Sequence, residues 1–231
     1  MNEIATPTIL ALIVWGTLVG LDLVSVPQAM IARPLVAGSV AGIILGDVEM
    51  GLRVGIVMEL FALDVLPVGA VRYPDYGPGT VGATCLATWL AGADGGWREG
   101  LGPGVMLGLV LGALGGWSLQ QLRHANARSI QGRSAGLAAG ESSAIRQLQH
   151  LGIARDVLRS AALTALAVGG AGLVAKFAHF DSAALSLVSL LAVASGLAAA
   201  LGGAVRSAGR GPRLRWLAAG LGIGTVWAAL R

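Results

Sequence analysis

Apolar runs separated by short polar stretches recur along the whole chain. They cover residues 9–26, 35–45, 54–66, 77–93, 101–122, 160–175, 183–205 and 217–230. About 20 apolar residues in a helix span the hydrocarbon core of a bilayer. Charged residues make up only 12% of the chain, whereas a soluble domain carries about 25%. The sequence therefore predicts an all-α integral membrane protein, a bundle of several crossing helices, and excludes a soluble enzyme.

Two of these runs, 35–45 and 54–66, are too short to cross a bilayer as straight helices. Both are bounded by Gly or Pro and carry charged residues at their ends or within them. Broken or re-entrant segments of this kind occur at membrane depth only inside the protein or beside a cavity. We therefore expect re-entrant or broken helices in the N-terminal half, with an ordinary helical hairpin as the alternative. The 36 glycines of the chain predict close helix packing within a single membrane domain over residues 1–231.

Arginine placement predicts the orientation of the chain. The stretch 123–159 holds six Arg against two acidic residues, and 206–215 holds four Arg and no acid. Loops rich in Arg stay in the cytoplasm. Two apolar runs separate these stretches, so both can lie on that side. The domain then divides into a motif-rich half (1–122) with the substrate site, a cytoplasmic connection (123–159) and C-terminal helices (160–231). This topology accounts for the net charge of +4 without nucleic-acid binding.

Ionisable residues inside apolar runs are costly, so they tend to line a pathway or to pair with one another. In this chain they concentrate between residues 20 and 80: Asp22, Arg33, Asp47, Glu59, Asp64 and Asp75. Glu59 lies in the middle of a run, where its carboxylate is suited to accept hydrogen bonds from sugar hydroxyls. The alternative is a structural ion pair with Arg33, Arg53 or Arg72. A polar site, if present, is expected mainly within this segment.

Three further residues complete the predicted substrate-binding set. Gln28 follows a proline, where its amide can bind substrate or cap a helix end. Arg33 precedes Pro34, and we favour a structural role for it, bonded to the carbonyls of a broken helix end, over substrate contact. Asp75 lies in a rigid Pro- and Gly-rich loop, where it lines a site or caps the next helix.

The sequence lacks the patterns of a catalytic centre. It contains no G-x-S-x-G, no Walker sequence and no metal-spaced His/Cys cluster. His124, His150 and His179 lie near the ends of segments, where a solvated role is more common than phosphoryl transfer. We therefore predict no catalytic residue, no metal, no cofactor and no phosphorylated residue in this chain.

A compound motif in the N-terminal half carries a family resemblance. It consists of Arg33-Pro34-Leu35, then Gly42-Ile43-Ile44-Leu45-Gly46-Asp47, then Glu59, and finally the loop Tyr73-Pro74-Asp75. In order and spacing it resembles the IIC subunit of the mannose/sorbose family of the bacterial phosphoenolpyruvate-dependent sugar phosphotransferase system. The sequence departs from that family just before Arg33, where no acid or His stands, and after Glu59, where a common Asn is missing.

The resemblance implies a function and a set of partners. It implies a permease subunit in the bacterial inner membrane that pairs with a IID-type membrane subunit and forms part of the sugar pathway. Soluble IIA and IIB proteins would supply the phosphate, a hexose is the expected class of sugar, and a homo-oligomer is expected. The alternatives are a related transporter uncoupled from phosphotransfer and a membrane scaffold that moves no sugar.

Overall fold

The computed structural model describes residues 5–26, 28–65, 72–92, 96–177, 181–208, 215 and 218–220. Within these residues the chain is helical and contains no strand, so the predicted all-α class is confirmed. The helices are α1 (Thr6–Asp22), α2 (Pro34–Leu45), α3 (Val48–Ala62), α4 (Tyr76–Ala91), α5 (Trp97–Gln131), α6 (Ser134–Ala138), α7 (Ser142–Phe177) and α8 (Ser182–Ala208). The predicted run 217–230 lies almost wholly outside the described residues, as does His179.

Three described helices are long and apolar enough to cross a membrane: α5, α7 and α8. Helices α5 and α7 have 35 and 36 residues, so each is about 50 Å long at 1.5 Å per residue. A hydrocarbon core is about 30 Å thick. Both helices therefore extend well beyond the bilayer, and α6 joins their projecting ends.

Helices α2 and α3 form a tight antiparallel hairpin. Pro34 occupies the first turn of α2, where a missing N–H costs nothing. Gly46 ends α2 with a φ of 78°, and the Asp47 carboxylate caps α3 by accepting a 2.9 Å bond from the Met50 amide. A Cβ on Gly42 would lie 2.8 Å from the Cα of Gly51, so glycine allows the two backbones to touch. The two short helices exist, while their re-entrant depth stays a prediction.

Helix α4 lies at the centre of the bundle. Most of its residues are buried, because small side chains let α2, α3, α5 and α7 pack against it. One apolar cluster joins α3, α4 and α5 around Met58, and a second joins α1, α2, α4 and α7 around Leu12 and Val81. The start of α4 is thereby held in a fixed place among its neighbours.

Several helix boundaries differ from the predicted segments. The predicted connection 123–159 is mostly helical, because α5 continues to Gln131 and α7 begins at Ser142. Helix α3 begins six residues before the apolar run that predicted it. The hydropathy pattern does not predict these extensions. A helix that leaves the bilayer does not have to be apolar, and the polar first turn of α3 is stabilised by its Asp47 cap.

Candidate functional site

A cavity of about 380 Å³ lies where four helices end or begin. The end of α1, the start of α2, the end of α3 and the start of α4 surround it. Its lining includes Asp22, Gln28, Met30, Arg33, Tyr73, Asp75 and Tyr76. Three of the four predicted site residues, Gln28, Arg33 and Asp75, therefore lie in one cavity wall. Glu59 is not part of the lining, but its carboxylate contacts Arg33, and Arg33 is a lining residue.

The loop between α1 and α2 forms one side of this cavity and is fixed by Asp22. The Asp22 carboxylate is buried and accepts hydrogen bonds from the amides of Ala29 (2.7 Å) and Ala32 (3.1 Å). Between these two amides, Met30 has a φ of 63°. A left-handed backbone costs a residue with a side chain about 1–2 kcal/mol, and the two bonds from Asp22 offset that cost.

Arg33 and Glu59 join the start of α2 to the end of α3. The Arg33 guanidinium bonds to one Glu59 oxygen, and the backbone amide of Leu35 donates to the other at 3.2 Å. The ion pair considered as the alternative for Glu59 is thus present, with Arg33 as its partner. Arg33 was predicted to bond to the carbonyls of a helix end, but in the structure its guanidinium bonds to Glu59. The pair is partly open to solvent, since the side chains are 44% and 17% exposed.

Gln28 occupies the exposed part of the same loop. Its Nε2 donates to the carbonyl oxygen of Leu23 at 3.2 Å, just beyond the end of α1. This contact matches the helix-end role considered for it. Because Gln28 also lines the cavity, its amide is accessible to a ligand there.

Asp75 is held by a buried cluster of charges. Its Oδ2 accepts a bond from Nη1 of Arg159 at 2.9 Å, and Nε of Arg159 donates to Oδ1 of Asp156 at 2.8 Å. Asp75 and Asp156 are 1% and 0% exposed, and the Arg159 side chain is 8% exposed. The hydroxyl of Ser25 donates to the remaining oxygen of Asp156. The side chain of Asp75 makes no capping bond to α4, so the capping alternative is not observed.

Arg159 is the residue that sequence reasoning missed. The arginine-rich composition of 123–159 predicts a loop residue at this position, whereas Arg159 lies inside the bundle and ties α7 to the start of α4. The expectation that polar groups would come mainly from residues 20–80 is incomplete for the same reason. The pattern Asp-x-x-Arg at 156–159 was the available signal, because residues three apart on a helix lie on one face.

The cavity and the projecting ends of α5 and α7 lie at the same end of the bundle. Helix α1 ends at this end and α4 starts there, and Asp75 contacts Arg159 in the first half of α7. Arg123 of α5 donates a 2.9 Å bond to the Tyr73 hydroxyl in the cavity lining. Whichever side of the membrane the arginine-rich ends face, the cavity opens toward it.

A helical membrane bundle with a cavity of this kind, lined by charged groups at helix ends, is typical of a membrane transporter. The sequence model of the family described as the PTS system sorbose-specific IIC component matches residues 6–207. The chain belongs to that family, whose members are the membrane transport components of the phosphotransferase system.

Individual relatives match over parts of the chain. It is 38% identical to the sorbose-specific EIIC component of Lacticaseibacillus casei over 72 residues, 31% of this chain and 26% of the relative. It is 29% identical to the mannose-specific EIIC component of Escherichia coli K12 over 113 residues, 49% of this chain and 40% of the relative. The aligned segments thus span well under half the length of these relatives.

Two solved structures share the fold over nearly the whole chain. One is described only as a membrane protein, with a TM-score of 0.67 and 22% identity, covering 99% of this chain and 96% of that one. The other is a cryoEM structure of the mannose transporter ManYZ in complex with microcin E492, with a TM-score of 0.54 and 20% identity, covering 99% and 88%. At these identities the likeness concerns the fold alone.

Proposed function

We propose that this chain is the IIC permease subunit of a phosphotransferase-system sugar transporter in the bacterial inner membrane and that its cavity is part of the sugar pathway. The observation that carries the proposal is the family match over residues 6–207 together with a polar cavity in the motif-rich half. Its volume of about 380 Å³ falls within the range of about 300–1,000 Å³ typical of small-molecule sites.

The cavity offers the groups that a sugar of the hexose class needs. Hydroxyls both donate and accept hydrogen bonds. The Gln28 amide does both, the Arg33 guanidinium donates, and the Asp75 carboxylate accepts. In this proposal Glu59 acts indirectly, because it holds Arg33 at the cavity edge. In the same way, Arg159 holds Asp75 in position through their ion pair.

A IID-type membrane subunit and soluble IIA and IIB carriers complete the proposed system. The described residues of this chain that line the cavity come from one end of the bundle, and each buried hydroxyl of a bound sugar must be paired. We therefore propose that the partner subunit supplies the remaining contacts. The chain itself carries no phosphorylated residue in this proposal, and it assembles with further copies of itself in the bilayer.

Phosphoenolpyruvate-dependent phosphorylation of labelled hexoses by membranes tests the proposal. Membranes with this chain, a IID-type subunit and the soluble carriers should phosphorylate and take up a hexose, and omission of this chain should abolish both. Glu59→Gln should lower uptake at least about tenfold, because Arg33 loses a charge-assisted bond. Glu49→Gln is the matched control, since it breaks an exposed pair with Arg53 on the same helix.

Two results would contradict the proposal. Saturable uptake by the purified chain alone in liposomes would favour a transporter uncoupled from phosphotransfer. Binding of soluble proteins without any sugar movement would favour a scaffold. Equal loss of uptake in the Glu59 and Glu49 variants would contradict the proposed role of Glu59 in positioning Arg33, but it would not contradict the proposed permease function.

A further inference from the structure

A second groove, separate from the sugar cavity, lies between the projecting parts of α5 and α7. It has a volume of about 330 Å³. Its lining combines polar side chains with apolar ones: Ser25, Asn126, Ser129, Gln149 and Arg155 on the polar side, and Ile130, Leu148, Gly152 and Ile153 on the apolar side. The groove is therefore amphiphilic, with a cation at its polar side.

Arg155 is fixed in this groove by only one of its three nitrogens. Nη1 donates to the Ala125 carbonyl (3.2 Å), to Oδ1 of Asn126 (3.1 Å) and to the Ser129 hydroxyl (2.9 Å). Among the described residues, no hydrogen bond uses its Nε or Nη2. Nδ2 of Asn126 likewise donates no hydrogen bond to any of the described residues. A rigidly held guanidinium thus presents unused donors next to an amide donor, and such an arrangement suits an oxyanion.

The surroundings of the groove are strongly positive. Residues 123–155 contain five Arg and one Glu, so this segment alone carries a net charge of +4, as much as the whole chain. Asp156, which accepts a bond from Ser25 in the lining, shares Arg159 with Asp75, so this buried cluster offsets only one of these positive charges. Charge therefore favours an anion over a neutral or cationic ligand.

Asn126 and Arg155 lie at the depth of the headgroup layer of a bilayer. Asn126 lies four residues past the apolar run 101–122, and Arg155 lies five residues before the run 160–175. At 1.5 Å per residue, both are about 6–8 Å beyond the apolar segments. The headgroup region occupies about 5–8 Å on each side of the hydrocarbon core.

We propose that this groove binds the phosphate group of an anionic phospholipid, with Arg155 and Asn126 as its donors. The site is independent of sugar transport, and nothing in it requires the sugar cavity to function. It differs from general attraction of basic loops to a membrane, because the bound phosphate contacts particular atoms. Loss of Arg155 must therefore have a larger effect than loss of another Arg from the same segment.

The test is competitive lipid retention by the full chain. The chain is reconstituted in an equimolar mixture of phosphatidylglycerol and phosphatidylcholine and extracted in detergent, and its bound lipids are counted by native mass spectrometry. The wild type should retain phosphatidylglycerol preferentially. Arg155→Gln should reduce that preference about tenfold or more, because two charge-assisted bonds are lost. Arg146→Gln, an exposed Arg of the same segment, should leave it within about twofold.

A second variant fills the groove and keeps Arg155 in place. A Cβ on Gly152 would meet only Nδ2 of Asn126, at 3.6 Å in ordinary van der Waals contact, so the position accepts a side chain, and Gly152→Leu directs that side chain into the groove and raises helix propensity. It should abolish the preference in a stably folded protein. Equal effects of Arg155→Gln and Arg146→Gln, or full retention in Gly152→Leu, would overturn the site. Displacement of the lipid by added inorganic phosphate alone would overturn the lipid as its ligand.

Discussion

Removing Arg159 should destabilise the protein more than removing either carboxylate that it binds. The cluster holds two buried negative charges and one positive charge. Arg159→Gln leaves Asp75 and Asp156 buried without a cation, and breaking a buried pair in this way costs about 3–5 kcal/mol. Asp75→Asn keeps the pair of Arg159 with Asp156, so it only exchanges a charged hydrogen bond for a neutral one, at about 1 kcal/mol.

The difference can be measured by unfolding the purified chain in detergent with increasing sodium dodecyl sulfate, monitored by tryptophan fluorescence. Arg159→Gln should also cost about 1–2 kcal/mol less in the Asp75→Asn background than in the wild type, because one unpaired carboxylate is then absent. Arg146→Gln serves as the exposed control. If Arg159→Gln costs no more than Asp75→Asn, or costs the same in both backgrounds, the three groups do not act as the buried cluster described.

Two further predictions concern topology and the α2–α3 hairpin. In a Cys85→Ala background, single cysteines at Ser134 and Ser207 should both resist an impermeant thiol reagent added to intact cells, because both lie in arginine-rich ends; labelling of either contradicts the cytoplasmic orientation. Gly51→Ala should destabilise the fold by about 2–3 kcal/mol through overpacking, since its Cβ would lie 2.7 Å from the Cα of Gly42. Gly169→Ala, where a Cβ meets nothing within 4 Å, should be neutral or slightly stabilising in the same unfolding assay because alanine favours the helix, and equal destabilisation by both variants would refute the tight hairpin.

The fold class followed from the sequence because bilayer thickness and the cost of unpaired polar groups leave few options for so apolar a chain. The segments α2, α4 and α8 were predicted closely for this reason. The projecting part of α5 was not, because a polar helix outside the bilayer has the composition of a loop. This part of α5 contacts α7 through the bonds that Arg155 donates.

The candidate site was predicted in part. Arg33 and Asp75 lie together because the family motif places them at the ends of helices that meet at one end of the bundle, and Gln28 lies in the neighbouring loop between α1 and α2. The ionic partner of Glu59 was one of three arginines considered, and only the folded arrangement selects Arg33. The partner of Asp75 lies 84 residues away along the chain. No local pattern specifies a contact over such a separation, which explains why Arg159 was counted as a loop residue.

The cavity has one stiff side and one compliant side. On the stiff side, Ser25 and Asp75 are both bonded to the same turn of α7 through the buried cluster of Asp156 and Arg159, which ties the loop after α1 and the start of α4 to α7. On the compliant side, the Arg33–Glu59 pair is partly hydrated, and exposed pairs contribute only about 0–1 kcal/mol. Separating the start of α2 from the end of α3 at the cavity therefore breaks a weaker ionic link than separating α4 from α7.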